Sequence, residues 1–319
     1  MNRHRLAIAM LAGVLYATAA SAGEVTTWVP PYQLQQSRLS LQHEAGDVTA
    51  GQWITRLGLQ FWLPTETGEL VFAERGEPLG PADADWFADW GRRNNVKVLL
   101  TLYNFRNDHW DWELARSAFR DHPDALVANL LAAVERHGLA GVDLDLEGNG
   151  ALDADRAAFA GFVAKLSAAL KAHGKELTID SFHSPCFNAP NMVWWEDWQG
   201  HVDAIHSMGY GDLYEGSVET FTPEGGETCA QGAALFRYSW QAAWATQHGI
   251  DASQVLMGIP GGEYAWGAGK GRRALPAQLK DVQAVGAGIA IWDVNGIATG
   301  RWGSAKAWKA LEAFRNGRK

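Results

Sequence analysis

The chain has 319 residues, 47% of them hydrophobic and 20% charged, and its 27 Lys and Arg against 36 Asp and Glu give a net charge of −9. An ordinary apolar fraction with modest charge and 2 Cys excludes a disordered chain, a disulfide-built miniprotein and a collagenous or coiled-coil rod. A globular fold with a real core remains.

Residues 1–22 stand apart. Asn2-Arg3-His4-Arg5 is a basic head, an apolar run extends from Leu6 to Ala20, and Ala20-Ser21-Ala22 has the small-x-small pattern of a cleavage site before Gly23. This pattern predicts a signal peptide, and hence a secreted or periplasmic protein. The apolar run is shorter than the ~18 to 20 residues that span a bilayer, although an uncleaved anchor is the alternative. No later segment is expected to span, so no membrane contact is expected once the signal is removed. Loss of Arg3 and Arg5 takes the basic count from 27 to 25 against 36 acids, a net charge of −11. A nucleic-acid partner is therefore not expected, because such binding rests on Lys and Arg neutralising phosphates. Cys186 and Cys229 would lie in a compartment that permits oxidation, where a disulfide between them and two buried thiols are both open. One Cys pair without a His-rich cluster lacks zinc spacing, and no metal is expected.

From residue 23 to 319 no Pro/Ser-rich linker, charge block or low-complexity tract divides the chain, which predicts one domain. Short β-rich apolar runs predict strands over 25–29, 54–63, 96–103, 141–146, 177–182, 204–208, 255–259 and 288–292. Between and after them, helical spacing of apolar residues predicts helices over 82–94, 123–137, 153–173, 193–198, 232–248, 276–285 and 304–314. The first crossover, about 31–53, shows no clear helix. Eight strands alternating with helices predict an α/β fold, a single (β/α)8 barrel, which typically needs about 250 residues. A doubly wound sheet is the runner-up, but no G-x-G-x-x-G follows an early strand. In a barrel the chemistry sits at the C-terminal ends of the strands and on the loops that follow.

The most informative stretch is Gly141-Val142-Asp143-Leu144-Asp145-Leu146-Glu147, where acids alternate with apolar residues. Period two sends Asp143, Asp145 and Glu147 to one face of the strand and the apolar residues to the helix-covered face. Same-face neighbours lie about 6.5 to 7 Å apart, so the three carboxyls share one confined space and cannot all ionise freely. One of them is thereby able to hold a proton at neutral pH, which makes a general acid. A solvent-facing acidic edge or a calcium site are the alternatives. The first does not explain the apolar residues between the acids, and the second normally needs turn-forming residues there.

This stretch resembles the strand-four signature of glycoside hydrolase family 18, the chitinases and related endo-β-N-acetylglucosaminidases, written D-G-x-D-x-D-x-E. Asp143, Asp145 and Glu147 match its last three acids, and Ala140 replaces the first. The resemblance implies a retaining glycosidase that cleaves β-linked N-acetylglucosamine-containing glycans with the substrate's own 2-acetamido group as nucleophile. It implies Glu147 as the acid and then the base, Asp145 as the partner of the acetamido N–H, and Asp143 as the group that shares a proton with Asp145. It implies an oligosaccharide or polysaccharide substrate, no organic cofactor and a monomer.

His206-Ser207-Met208-Gly209-Tyr210-Gly211-Asp212 resembles the family's M-x-Y-D segment, which implies Met208 near the acetamido methyl and Tyr210 donating to the acetamido oxygen. Gly211 stands where the motif has its Asp, so Asp212 takes that place one residue late or is unrelated. Trp292, ending the eighth strand, resembles the tryptophan that floors the sugar pocket, since the C–H face of a pyranose packs on an indole. Trp28 on the first strand is a further candidate sugar contact. Trp110, Trp112, Trp194, Trp195, Trp198 and Trp266 follow strands on the same face, where some are expected to stack sugars and any single one to be packing. The third strand should end S-x-G-G but has Tyr103 and Asn104, bulkier groups expected to narrow the cleft. On the fifth strand Asp180 or His183 could reach the site. The rival readings are a sugar-binding chitinase-like lectin without turnover, although such proteins usually lose the acid, and a glycosidase of another barrel family.

Overall fold

The computed structural model describes residues 23–150, 152–183, 188–210, 238–261, 275–299 and 303–317. Eight strands run parallel: β1 (Val25–Val29), β2 (Arg56–Pro64), β3 (Lys97–Tyr103), β4 (Gly141–Asp145), β5 (Glu176–Ser181), β6 (Ala204–Ser207), β7 (Val255–Pro260) and β8 (Gly288–Trp292). Each pairs with its neighbour in chain order, and β1 pairs with both β2 and β8, so the sheet closes into a barrel. A short strand, Leu70–Phe72, runs antiparallel to the end of β2, and a hairpin of Phe105–Arg106 and His109–Trp110 follows β3. Among the described residues no helix is long and apolar enough to cross a membrane.

The helices around the barrel include α1 (Leu34–Gln42), α2 (Pro81–Asn94), α3 (Pro123–His137), α4 (Arg156–Ala172), α5 (Tyr238–Gln247), α6 (Leu275–Ala284) and α7 (Ala305–Arg315). α3 shows why the helical pattern is legible. Pro123 opens its first turn, Leu126, Leu130 and Val134 are buried on one face, and Gly138 takes the left-handed turn at φ 61° that ends it. α1 corrects the expectation of a first crossover without a helix. Its buried face is Leu34, Ser37, Ser40 and Leu41, and the two serines hide the apolar period. They are buried because they bond to Asn295, Ser40 at 3.0 Å and Ser37 at 3.1 Å, on the short helix Val294–Thr299. The segment expected as a helix over 193–198 is a 3-10 helix, Met192–Trp198.

Strand alternation divides the interior into two. Outward residues such as Val25, Leu57, Leu100, Leu144, Ile179, Ile205, Met257 and Ile289 join the helices in one large apolar core. Inside the barrel the apolar cluster is small, made of Trp28, Ala204, Leu256 and Ala290 with Trp292 against it. Polar side chains take much of the remaining interior. At the lower end Arg56, 6% exposed, bridges Glu24 at 2.8 Å and Glu176 at 3.0 Å, and Lys97 also pairs with Glu176. The upper end holds the acids.

Candidate active site

β4 delivers the acid row to the upper end of the barrel. Asp143 is 0% and Asp145 3% exposed, and Glu147 stands half-buried two residues past the strand. Leu144 and Leu146 lie in the outer core, as the alternation requires. Past Glu147, Gly148 and Ala189 exchange main-chain hydrogen bonds of 2.8 and 2.9 Å, which ties the end of the row to the loop after β5.

Asp143 is surrounded by donors. Trp28 Nε1 at 2.8 Å and Thr101 Oγ1 at 3.0 Å donate to Oδ2, Thr178 Oγ1 donates to Oδ1 at 2.6 Å, and His206 Nδ1 stands 3.3 Å from Oδ1. Burial alone would push this carboxyl up. His206, Thr178 and Trp28 outweigh burial and hold it below the usual carboxylate range. Hydrogen bonds to an ionised group are worth about 1.5 to 3 kcal/mol each, so several are enough to keep a buried carboxylate charged. Trp28 reaches Asp143 only because residue 58 is Gly. A Cβ there would stand 2.4 Å from Trp28 Cδ1 and 2.7 Å from Thr101 Oγ1.

Asp145 is placed differently. Gln60 Nε2 donates to its Oδ2 at 2.6 Å, while Oδ1 is buried and accepts no well-aligned hydrogen bond from the described residues. Burial first, and then the charge on Asp143, push its carboxyl up to about 7. Glu147 is raised well above its ordinary value by burial, then by the charges on Asp145 and Asp180, and it is within hydrogen-bonding reach of Asp145. Of the row, Asp143 is thus the member held ionised and Glu147 the one driven to keep a proton.

A fourth carboxyl completes the cluster. Asp180 on β5 faces inward at 3% exposure, and its Oδ1 lies 2.9 Å from His206 Nδ1. His206 Nε2 is 3.1 Å from Thr26 Oγ1, so the imidazole is held at both nitrogens. Burial, then Asp143 and Asp145, raise Asp180 well above its usual value. Asp143, Asp180 and His206 bring three ligand atoms within 4.8 Å of one another, the spacing of a cation site. The hydrogens that Trp28, Thr101 and Thr178 aim at Asp143 occupy the lone pairs a cation would need, so the cluster is better suited to a hydrogen-bonded network.

Tyr210 is half-buried after β6, and its hydroxyl is raised by burial and then by Asp180, Asp145, Glu147 and Asp143, all of which lie near enough to act on it. Met208 is half-buried beside it, its N–H bonded to Ser181 O at 2.8 Å. Trp292 is half-buried over the inner cluster, its ring 6.0 Å from that of Trp28. The structure therefore brings Asp143, Asp145, Glu147, Met208, Tyr210, Trp28 and Trp292 to one end of one barrel.

The family model of glycosyl hydrolases family 18 matches residues 54–311. The chain belongs to that family. As a member it is a glycosidase, and the barrel is the family's fold. A chitinase from Chromobacterium violaceum superposes with a TM-score of 0.63 at 15% identity, covering 92% of this chain and 99% of that one. The spore cortex-lytic enzyme SleL of Bacillus cereus gives 0.67 at 13%, covering 92% and 74%. The Ostrinia furnacalis Group IV chitinase in complex with allosamidin gives 0.65 at 13%, covering 93% and 100%. No curated protein sequence matches the chain.

Set in this family 18 barrel, the other expected positions divide. Trp28 and Tyr103 are enclosed, at 1% and 0% exposed; the ring of Trp28 lies edge-to-face against His206, and Tyr103 packs on Trp110. Trp112, Trp194, Trp195 and Trp198 are buried, Trp112 donating to Asp155 at 2.8 Å and Trp195 to Ser181 at 2.7 Å, which assigns these four to packing. Trp110 is half-buried. His183, after β5, is buried, which pushes its imidazole down to about 4 and leaves it neutral. Ala140 precedes β4 at the opposite end of the barrel from Glu147, in a groove it lines with Lys97 and Lys175. Asp212, Trp266, Cys186 and Cys229 lie outside the described residues.

Sequence reasoning missed Gln60, Thr101, Thr178 and His206, and left Asp180 undecided. Each is a polar residue at an inward position of a strand whose outward residues are apolar, as in Leu57-Gly58-Leu59-Gln60-Phe61. Period two applied to every strand, and not only to the acidic one, would have found them.

Proposed function

We propose that the protein hydrolyses β-linked N-acetylglucosamine-containing glycans with retention, using the substrate's acetamido group as nucleophile. The observation that carries this reading is the unequal pair at the end of β4: a carboxyl driven to keep its proton, Glu147, beside Asp145, whose buried Oδ1 accepts no well-aligned hydrogen bond from the described residues. A buried acceptor without a well-aligned donor is costly, and a substrate N–H would satisfy it.

In the first step Glu147 gives its proton to the glycosidic oxygen as the bond to the anomeric carbon breaks, and the acetamido oxygen attacks that carbon to give a cyclic oxazolinium ion. Asp145 accepts from the acetamido N–H and balances the charge that develops on the ring. Tyr210 donates to the acetamido oxygen and holds it under the anomeric carbon. In the second step the Glu147 carboxylate takes a proton from water, which opens the oxazolinium ion from the face the leaving group occupied. Asp143, held ionised by its four partners, keeps the remaining proton on Asp145 and Glu147. Trp292 offers the sugar an apolar face, and Met208 lies against the acetamido methyl. No metal or organic cofactor takes part. The chitinases among the structural neighbours support an N-acetylglucosamine substrate. Residues 1–22, read as a signal, would carry the enzyme out of the cytoplasm to that polymer.

The test is the product anomer and its inhibition. NMR of freshly cleaved chito-oligosaccharide is expected to show the β-anomer first, and a thiazoline analogue of N-acetylglucosamine, which mimics the oxazolinium ion, is expected to inhibit competitively. An α-anomer first, or indifference to the thiazoline, would sink the acetamido mechanism.

A further inference from the structure

The pairing of β3 with β4 ends at Tyr103 and Asp145, two residues short of Glu147. The main chain of Glu147 therefore lies beyond the ladder, where its N–H and C=O need other partners. Asn104 supplies both. Its Oδ1 accepts the Glu147 N–H at 2.8 Å, and its Nδ2 donates to the Glu147 carbonyl at 2.8 Å. A carboxamide has the donor and acceptor of a peptide unit in one plane, so this side chain adds one more rung to a ladder that the backbone of β3 has already left.

Asn104 is itself fixed. It is 0% exposed, and its carbonyl accepts the N–H of Asp111 at 2.8 Å. Asp111 is in turn the N-cap of the short helix Trp112–Arg116, accepting the Leu114 N–H at 3.0 Å, and Arg106 Nε donates to it at 2.7 Å. On the other side, Gly148 is bonded to Ala189 in both directions. The peptide that carries Glu147 is thus clamped between β3 and the loop after β5. Tyr103 and Asn104 stand where the family pattern has two glycines, and a glycine has no side chain to make this rung.

We infer that Asn104 is a positioning residue for Glu147: by holding both main-chain groups of that residue it aims the carboxyl at the glycosidic oxygen and keeps it beside Asp145. The inference rests on the reading of Glu147 as general acid. A misaimed acid harms most the departure of a poor leaving group, which cannot go without a proton, and least the departure of an activated one. General structural damage would harm both alike.

The experiment compares wild type, Asn104→Leu, Asn104→Ala and Glu147→Gln on a chito-oligosaccharide and on an activated dinitrophenyl glycoside of chitobiose. Thermal unfolding of each variant is measured alongside. Asn104→Leu fills the same space without the two hydrogen bonds, and Asn104→Ala leaves room for water and serves if the first does not fold. The expected result is a fall in kcat/KM of about tenfold or more on the oligosaccharide, carried by kcat with KM nearly unchanged, against about threefold or less on the activated glycoside. Equal losses on the two substrates, or no loss, would overturn the inference while leaving a Glu147→Gln enzyme that still fails on the oligosaccharide. If Glu147→Gln cleaves the oligosaccharide as well as wild type, the general-acid reading falls, and the role of Asn104 falls with it.

Discussion

The two ends of the barrel both bury acids, and they treat them in opposite ways. At the lower end Glu24 and Glu176 meet Arg56, and Lys97 joins them, so each carboxylate has a cation in contact. Burial pushes Glu176 up, but Arg56 and Lys97 outweigh it and hold it below its ordinary value. At the upper end Asp143, Asp145, Glu147 and Asp180 face one imidazole among the described residues, and three of the four are pushed up. What separates a structural ion pair from a proton store is thus the local ratio of acids to bases. Burial is common to both ends.

The upper end should be broken for function and the lower for folding. Glu147→Gln is expected to lower kcat on a glycan by about 10³-fold, within the ~10² to 10⁴ that positioned acid–base groups supply, with the thermal midpoint nearly unchanged. Arg56→Met leaves two acids without their buried partner and is expected to cost about 3 kcal/mol of stability in urea unfolding, with kcat of the folded fraction retained. Exchanged outcomes, with stability lost at Glu147 and activity at Arg56, would abolish the contrast.

The same contrast fixes two slopes of stability against pH. Asp145 is raised from 3.8 to about 7 on folding, so the stability it adds is complete below about pH 4 and is lost as pH rises through 7. Asp145→Asn should therefore gain on wild type between about pH 4 and about pH 8. Glu176 is lowered from 4.5, so its contribution is present above that value and is lost as pH falls through its folded value. Glu176→Gln should cost most at neutral pH and least in acid. Urea melts at both pH values measure the two slopes, and slopes of the same sign would contradict the assignment.

The smallest effect is expected at Ala140, where restoring the acid of the family signature by Ala140→Asp places a carboxyl at the lower end beside Lys97 and Lys175. A change of less than about 0.5 kcal/mol in stability and less than about twofold in kcat/KM is expected. A large change in activity would mean that the two ends communicate.

Much of the barrel could be read from the chain because parallel strands covered by helices are continuous apolar runs, and eight of them alternate with amphipathic helices. The acid row was legible for the same reason, since Val142, Leu144 and Leu146 mark which face is covered. α1 was not legible, because its buried serines answer to Asn295, more than 250 residues away in the chain. Nor was the partnership of Asp143 with Trp28, Thr101, Thr178 and His206, which come from four other strands. Such contacts follow from closure of the sheet, and no local pattern announces them. The burial of Trp112, Trp194, Trp195 and Trp198 was equally hidden, because a tryptophan that follows a barrel strand has the same sequence surroundings whether it faces sugar or core.

The direct measurement is an NMR titration of the protein labelled at its glutamate side-chain carboxyls, in wild type and in Glu147→Gln. One glutamate still protonated at neutral pH, and missing from the variant, is the predicted result. If no glutamate titrates above the ordinary carboxylate range, no acid is held ready at the end of β4, and the account of this site is wrong.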